Sequence, residues 1–432
     1  MQRTISPGRR ANGTVRLPGD KSVSHRYGML ASIAKGTSEI TNYSTGADCA
    51  STLGCMRDLG VEIEQDGTRV IIHGVGLDGL TAPTEQLDAG NSGSTIRMLS
   101  GILAGQKFTS TIGGDESLSK RPMKRIMTPL EEMGAHITAT GDGFPPLTIE
   151  GSPLKGIHYE PPMASAQVKT AVLFGGIYAD GTTSVRERAQ TRNHSEIALE
   201  ALGADIECSG TMIRMKGRPN LKGRELTVPS DLSSAAFFLA TALMLPGSEL
   251  RIEDVGLNPT RTDLLDVLLE MGADIEILPH ASAGAEPLGT LVVRGQDSAA
   301  TPVLRGGVIE GSLTAGVIDE IPMLAVLGAA SLEGLEIRDA KELRVKETDR
   351  IATVADNLSR MGIKVEAFDD GMRIPGGQRF QPAELDSFGD HRIAMAFAVA
   401  ALSAPEPSTM LNAEAANVSF PEFYDLLESV VS

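Results

Sequence analysis

The 432-residue chain is short of the residues that staple or metallate a fold. It has three cysteines, Cys49, Cys55 and Cys208, an odd number without CxxC spacing, and seven histidines without an HExxH or HxH pair. That pattern argues against a disulfide framework and a structural metal, and points to a reduced, cytoplasmic protein with no metal and no other cofactor. Positive charge is also scarce: 39 Lys and Arg stand against 56 Asp and Glu, a formal net charge of -17. Such a chain is a poor main partner for nucleic acid or an anionic membrane, so any local cluster of cations is informative. No run of about 18 apolar residues occurs, and the opening "MQRTISPGRRANG" has no apolar stretch of the kind a secretory signal needs. A protein that is neither exported nor membrane-spanning is expected.

What is present is a repeat. One pattern returns at intervals of roughly 65 to 90 residues. Its first half is a polar, hydroxyl-rich start, an apolar helix, a Gly or Pro turn and a short strand, as in "DKSVSHRYGMLASIAKGTSEITNY", "NSGSTIRMLSGILAGQKFTSTIGG", "SAQVKTAVLFGGIYADGTTSVRER", "SDLSSAAFFLATALMLPGSELRIED", "IDEIPMLAVLGAASLEGLEIRDA" and "DHRIAMAFAVAALSAPEPSTMLNA". Its second half is a shorter amphipathic helix, usually ended by Gly, and a β-prone run, as in "LEEMGAHITAT" and "LLEMGADIEI". The first class of helix is apolar nearly all round and belongs inside a domain; the second carries the polar outer face. At this length two domains of roughly two hundred residues each are expected. Three repeats fall between 21 and 228 and three after it, predicting an α/β protein of two pseudo-threefold domains, 21–228 and 1–20 plus 229–432. The chain would cross between them at "LPGDK" and "VPSDL", with a cleft between closely connected halves.

Free N–H groups at a helix start favour anions, and hydroxyls at the cap strengthen the effect. "DKSVSHR" supplies Lys21, Ser22, His25 and Arg26; "NSGSTIR" supplies Asn91, Ser92, Gly93 and Ser94 before Arg97; "SAQVK" supplies Ser165, Gln167 and Lys169; "DHR" supplies Arg392. Each alone reads as an ordinary capped helix. Their repetition favours a shared anion-binding cleft. "LSKRPMKR" adds Lys120, Arg121, Lys124 and Arg125, and "RNHSE" adds Arg192 and His194, either of which could equally be a solvated turn or cap. In "KETDR", Lys346 and Arg350 would stand one helical turn apart, where like charges repel unless an anion lies between them. Glu347 would put a proton-transfer group beside that anion. In "IDEIP", Asp319 and Glu320 open a fifth helix, and simple N-capping by acids is the plainer reading. His391 is open between a structural and a catalytic role.

Together "LPGDKSVSHR", "DAGNSGSTIR", "SKRPMKR", "SAQVKTAVL", "IDEIP", "KETDR", "GDHRIAMAF" and "SFPEFYDLL" resemble the 5-enolpyruvylshikimate-3-phosphate synthase family, in family order and over nearly the whole chain. The resemblance implies an inside-out α/β barrel of two domains, each with three βαβαββ-type units, the active site lying in the interdomain cleft. It implies transfer of the enolpyruvyl group from phosphoenolpyruvate to the 5-hydroxyl of shikimate 3-phosphate, with phosphate released. Carried over by position, Lys21 contacts phosphoenolpyruvate, Ser22 and Arg26 hold the shikimate carboxylate, and Asn91, Gly93 and Arg121 approach phosphoenolpyruvate. Ser165 and Gln167 resemble ligands of shikimate 3-phosphate. Arg350 and Arg392 complete the phosphoenolpyruvate clamp, Lys346 partners the acceptor, and Asp319 and Glu347 are the acid/base pair. Ala166, Arg192 and Val418 resemble the class II branch, in which Arg192 takes over binding of the shikimate phosphate. Gly93 lacks the methyl group that accompanies glyphosate tolerance in some class II members, so glyphosate is expected to compete with phosphoenolpyruvate.

Two anionic substrates would explain cations gathered in an acidic chain. Addition at C2 of the enol ether needs a base at the acceptor hydroxyl, assigned to Asp319, and a proton donor at the methylene carbon, assigned to Glu347 with Lys21 as the alternative. The partners expected are the two small anions, with no nucleic acid, no membrane and a monomeric chain. The sister transferase acting on UDP-N-acetylglucosamine is disfavoured because "GGDESLSKRPM" contains no thiol. RNA 3'-phosphate cyclase is disfavoured by the acidity, and a non-catalytic anion-binding scaffold would need neither Asp319 nor Glu347.

Overall fold

The computed structural model describes residues 1–280, 285–296 and 304–432. Along the chain lie helices α1 (Lys21–Ser32), α2 (Ala47–Asp58), α3 (Gly93–Ala104), α4 (Lys124–Glu132), α5 (Ala166–Tyr178), α6 (His194–Leu202), α7 (Leu232–Met244), α8 (Asp263–Glu270), α9 (Ser312–Gly316), α10 (Ile321–Ala330), α11 (Arg350–Arg360), α12 (His391–Leu402) and α13 (Phe423–Val430). Except for the single short turn α9, they alternate between the two classes of the repeat. In α12 every residue is buried, including His391 and Arg392; α11 by contrast buries Ile351, Val354 and Leu358 on one stripe and leaves Asp356 and Arg360 outside as an ion pair. Length does not separate the classes as expected, since α2 equals α1 at 12 residues and α11 is longer than α10. Burial does.

Among the described residues the strands form six small sheets, five of four strands and one of three, built on one pattern. A strand before the buried helix pairs parallel with the strand after it, which is then joined by antiparallel strands. Leu87–Asp88, Thr109–Gly113, Phe144–Glu150 and His136–Thr140 show the order in full. Two sheets trade their first strand. Asn12–Arg16 precedes α1 but pairs with Glu249–Gly256 after α7, whereas Glu225–Thr227 precedes α7 but pairs with Lys35–Thr41 after α1. By contact density the chain divides into one unit of Met1–Pro18, Ser230–Ala281 and Pro287–Ser432, and another of Gly19–Pro229 with Ser282–Glu286. Among the described residues no helix is long and apolar enough to cross a membrane.

Each unit has its own core. In the unit of Gly19–Pro229, α3 and α5 pack so closely that a Cβ on Gly101 would stand 2.3 Å from the carbonyl oxygen of Ala171. In the other unit, Phe237, Phe238, Phe420, Phe423 and Tyr424 pack edge to face or tilted, with centroids 5.1 to 6.1 Å apart. Gly101→Ala should therefore lower stability by about 1–3 kcal/mol through overpacking. Gly54→Ala, where a Cβ on α2 meets nothing within 4 Å, should raise it by about 0.5–1 kcal/mol. Denaturant melts of the two variants check this, and equal shifts would contradict it.

Candidate active site

The unit of Gly19–Pro229 joins three starts of buried helices by hydrogen bonds. Asp20 caps α1, accepting from Val23 N at 2.9 Å; Ser92 caps α3 and Ser165 caps α5, accepting from Thr95 N and Val168 N. These residues leave helical geometry just before a run of Ala, Leu and Met, because a short side-chain oxygen satisfies amides that the helix cannot. Gln167 bridges α5 to α3, accepting from Arg97 Nη1 at 2.8 Å and donating to Ser94 Oγ at 3.0 Å. Arg26 bridges α1 to α5 and α6 by donating to Ser22 O, Thr170 Oγ1 and Ser195 Oγ at 2.7, 3.0 and 2.6 Å. Burial pulls its pKa down to about 10, so it stays a cation at neutral pH. Lys21 Nζ, a quarter exposed, lies 3.0 Å from Asp48 Oδ2. Arg121 Nη2 donates to Asn91 Oδ1 at 2.8 Å, and a Cβ on Gly93 would stand 2.8 Å from Arg97 Nη1 and 3.5 Å from Arg121 Nη1.

Three readings of the sequence change here. The basic segment "LSKRPMKR" divides: Arg121 turns to Asn91, while Lys120 pairs with Glu116 and Lys124 with Asp142 on the surface. Lys169, grouped above with the anion-seeking residues, is wholly buried and bonded to Glu187 and Glu196 at 3.0 and 2.7 Å. His25 turns its Nδ1 to Thr52 Oγ1 at 2.7 Å, and burial pushes its pKa down to about 3. It is a neutral part of the core.

In the other unit, charged groups of both signs gather around the starts of α10, α11 and α12. "KETDR" is not a helix turn: a 3-10 helix spans Lys341–Val345, Lys346 is extended, and α11 begins at Arg350 with Asp349 as its cap. Lys346 and Arg350 are thus not stacked on one helix face. Both instead lie 3.7 Å from Asp319 Oδ1. Glu320 makes no side-chain cap to α10; it is buried against Arg261 at 2.9 Å, with Arg392 at 3.7 Å and Ser233 Oγ also bonded to it. Burial alone would raise its pKa, but Arg261 and Arg392 outweigh that and hold it low. Arg392 Nη1 donates to Asp319 O at 2.9 Å. Arg350, 1% exposed, donates through Nε to Asp390 Oδ2 at 2.8 Å and through Nη2 to Glu347 Oε2 at 2.6 Å. Burial pulls its pKa down, but Asp390 and Glu347 more than compensate, so its charge is fixed. Its Nη1 has no hydrogen-bond partner among the described residues.

A hydroxyl-capped set of cations in one unit and, in the other, Lys346, Arg350 and Arg392 beside the carboxylates of Asp319 and Glu347 are groups of the kind that handle small polyanions. A sequence model of EPSP synthase (3-phosphoshikimate 1-carboxyvinyltransferase) matches residues 5–427. The chain belongs to the EPSP synthase family. A 3-phosphoshikimate 1-carboxyvinyltransferase of Solibacter usitatus is 60% identical over 430 residues, covering 100% of both chains. Another from Bacillus velezensis is 46% identical, covering 97% of each. A solved EPSP synthase of Acinetobacter baumannii superposes with a TM-score of 0.90 at 44% identity, covering 100% of this chain and 98% of that one. The enolpyruvyl transferase NikO of Streptomyces tendae, 20% identical with a TM-score of 0.81, shares the fold, covering 99% of this chain and 97% of its own.

Several residues of this EPSP synthase family site were not singled out from the sequence. Asp390 caps α12, accepting from Arg392 N, and at the same time holds Arg350 forty residues away; only the acid before "HR" hinted at it. Asp48 and Glu187 were given no role, and Glu196, the last residue of "RNHSE", was passed over. Among the described residues, Glu62, Glu64 and His73 could offer a metal three ligand atoms within 4.8 Å of one another. They sit on the strands Glu62–Asp66 and Arg69–Val75 and include none of the residues above.

His25 gives a pH signature. Its folded pKa lies below the ordinary 6.5, so the stability it contributes is full above pH 6.5 and is lost as pH falls toward about 3. Between pH 6.5 and 5 that loss is about 2 kcal/mol for one proton. His25→Asn should make stability less dependent on pH across this window, whatever its absolute stability. An unchanged slope in denaturant melts would show that His25 titrates normally.

Proposed function

We propose that the chain works as a 3-phosphoshikimate 1-carboxyvinyltransferase, moving the enolpyruvyl group of phosphoenolpyruvate to the 5-hydroxyl of shikimate 3-phosphate with release of phosphate. The observation that carries the site assignment is Arg350. A buried cation whose Nε and Nη2 are locked by Asp390 and Glu347 keeps Nη1 for a ligand, 3.7 Å from the carboxylate of Asp319. A fixed cation beside a carboxylate supports the reading of an anion seat next to a base, since a preorganised donor is what holds a developing oxyanion.

On this reading Ser22, Arg26, Ser165, Gln167 and Arg192 hold shikimate 3-phosphate. Asn91, Gly93, Arg121, Arg350 and Arg392 hold phosphoenolpyruvate, and Lys346 contacts the acceptor. Asp319 takes the proton of the 5-hydroxyl as its oxygen attacks C2, with Lys346 and Arg350 balancing the carboxylate charge. The methylene carbon takes a proton from Glu347 or Lys21. Elimination reverses that transfer: the methyl group returns a proton, the double bond reforms and phosphate leaves. The partners are the two anions alone, and the chain acts as a cytoplasmic monomer.

Asp319→Asn and Glu347→Gln should each lower kcat by about 10²–10⁴-fold while both ligands still bind, because a proton-transfer group is lost and the cations remain. Phosphate release measured beside calorimetric titration separates the two effects; undiminished turnover in both variants would remove them from the chemistry. UDP-N-acetylglucosamine in place of shikimate 3-phosphate should release no phosphate. Gly93→Ala would drive a methyl group against Arg97 and Arg121 and should raise the KM for phosphoenolpyruvate about tenfold, roughly 1.4 kcal/mol. An unaltered KM would place Gly93 outside the site.

A further inference from the structure

Among the described residues of the unit of Gly19–Pro229, Lys169 is the largest charged side chain that is fully shielded, and the mechanism leaves it unused. It stands one turn into α5, the helix that opens with Ser165 and Gln167, and is completely shielded from solvent. An ammonium has three N–H donors. Here they meet Glu196 Oε1 at 2.7 Å, Glu187 Oε2 at 3.0 Å and Thr191 O at 3.5 Å. None is left for a ligand.

Those three acceptors fasten two neighbouring parts of the site. Glu187, also buried, folds back on its own chain: Oε2 accepts from Thr191 N at 3.4 Å and Oε1 accepts from Thr191 Oγ1. Arg188, Ala189 and Gln190 between them are exposed. A single carboxylate, held by Lys169, therefore closes the loop whose next residue is Arg192. Glu196 lies on the first turn of α6 beside Ser195, which accepts from Arg26 Nε at 2.6 Å and is bonded to Thr170 of α5. Glu196 is also the foremost of the charges that support the Arg26 cation against its burial.

We infer that Lys169 is a positioning residue for acceptor binding: its ammonium fixes the Glu187–Thr191 loop that presents Arg192 and, through Glu196 and Ser195, sets the guanidinium of Arg26. The inference rests on the assignment of Arg192 and Arg26 to shikimate 3-phosphate. Removing the ammonium leaves two buried carboxylates facing one another, which opens the loop and moves both arginines. A displacement of about 1 Å in such groups is worth up to about a hundredfold. The phosphoenolpyruvate ligands Asn91 and Arg121 hydrogen-bond to neither carboxylate.

The test is steady-state kinetics on the full chain for Arg192→Ala, Glu187→Gln, Lys169→Met, Lys169→Arg and the double variant Glu187→Gln with Arg192→Ala. Arg192→Ala and Glu187→Gln should each raise the KM for shikimate 3-phosphate about tenfold or more, with kcat and the KM for phosphoenolpyruvate within about threefold of the parent. The double variant should be no worse than Arg192→Ala alone, since the loop acts only through that arginine. Lys169→Met should show a larger rise in the same KM, and Lys169→Arg should restore most of it. If Lys169→Met does not fold, Glu187→Gln decides, because it keeps the shape of the side chain and leaves Lys169 paired with Glu196. A shikimate 3-phosphate KM raised by Arg192→Ala but untouched by Glu187→Gln overturns the inference, as does a loss shared equally by both substrates. A KM untouched by Arg192→Ala overturns the underlying assignment of Arg192 instead, and with it this role for Lys169.

Discussion

Arg350 and Asp390 are both shut away from solvent, and neither charge could remain there alone without several kcal/mol of desolvation cost. Their pairing does more than neutralise. Asp390 also accepts from the backbone amide of Arg392, so the same carboxylate starts α12 and holds Arg350 on the neighbouring α11. Nε and Nη2 of Arg350 are thereby fixed, and among the described residues its Nη1 has no hydrogen-bond partner. On the proposed assignment such a fixed guanidinium needs no reorganisation when an anion binds, which is where electrostatic catalysis gains over water.

The other unit solves the same problem with different residues. Lys169 is held by Glu187 and Glu196, and Arg26 keeps its charge in a site that burial would otherwise weaken. His25, without a close enough counter-charge, takes the alternative course and stays neutral beside Thr52. Cations that look alike in the sequence thus differ in their burial and in the partners that hold them.

The helices make this precision possible. α3 and α5 approach through Gly101 with no room for a methyl group, so the caps at Ser92 and Ser165 and the bridge at Gln167 have little freedom to drift. Close packing of the helices thus fixes where their capped starts lie.

The local pattern of residues was enough to reveal the repeat, the two classes of helix, the capped helix starts and the family. These depend on periodicity, cap chemistry and motif order, which act over a few residues at a time. Lys346 and Arg350 look like a helical pair in "KETDR", Lys169 looks like an anion ligand in "SAQVK", and Glu320 looks like a cap in "IDEIP"; each was decided otherwise by a partner remote in sequence. Asp319 brings Lys346 and Arg350 together across an extended segment, Glu187 and Glu196 saturate Lys169, and Arg261 draws Glu320 inward. The sequence by itself determined where cations and helix starts occur. Only the tertiary structure decided which of those cations still have a donor to offer, because the desolvation of a charge and the nearness of its counter-charge are properties of packing between distant segments.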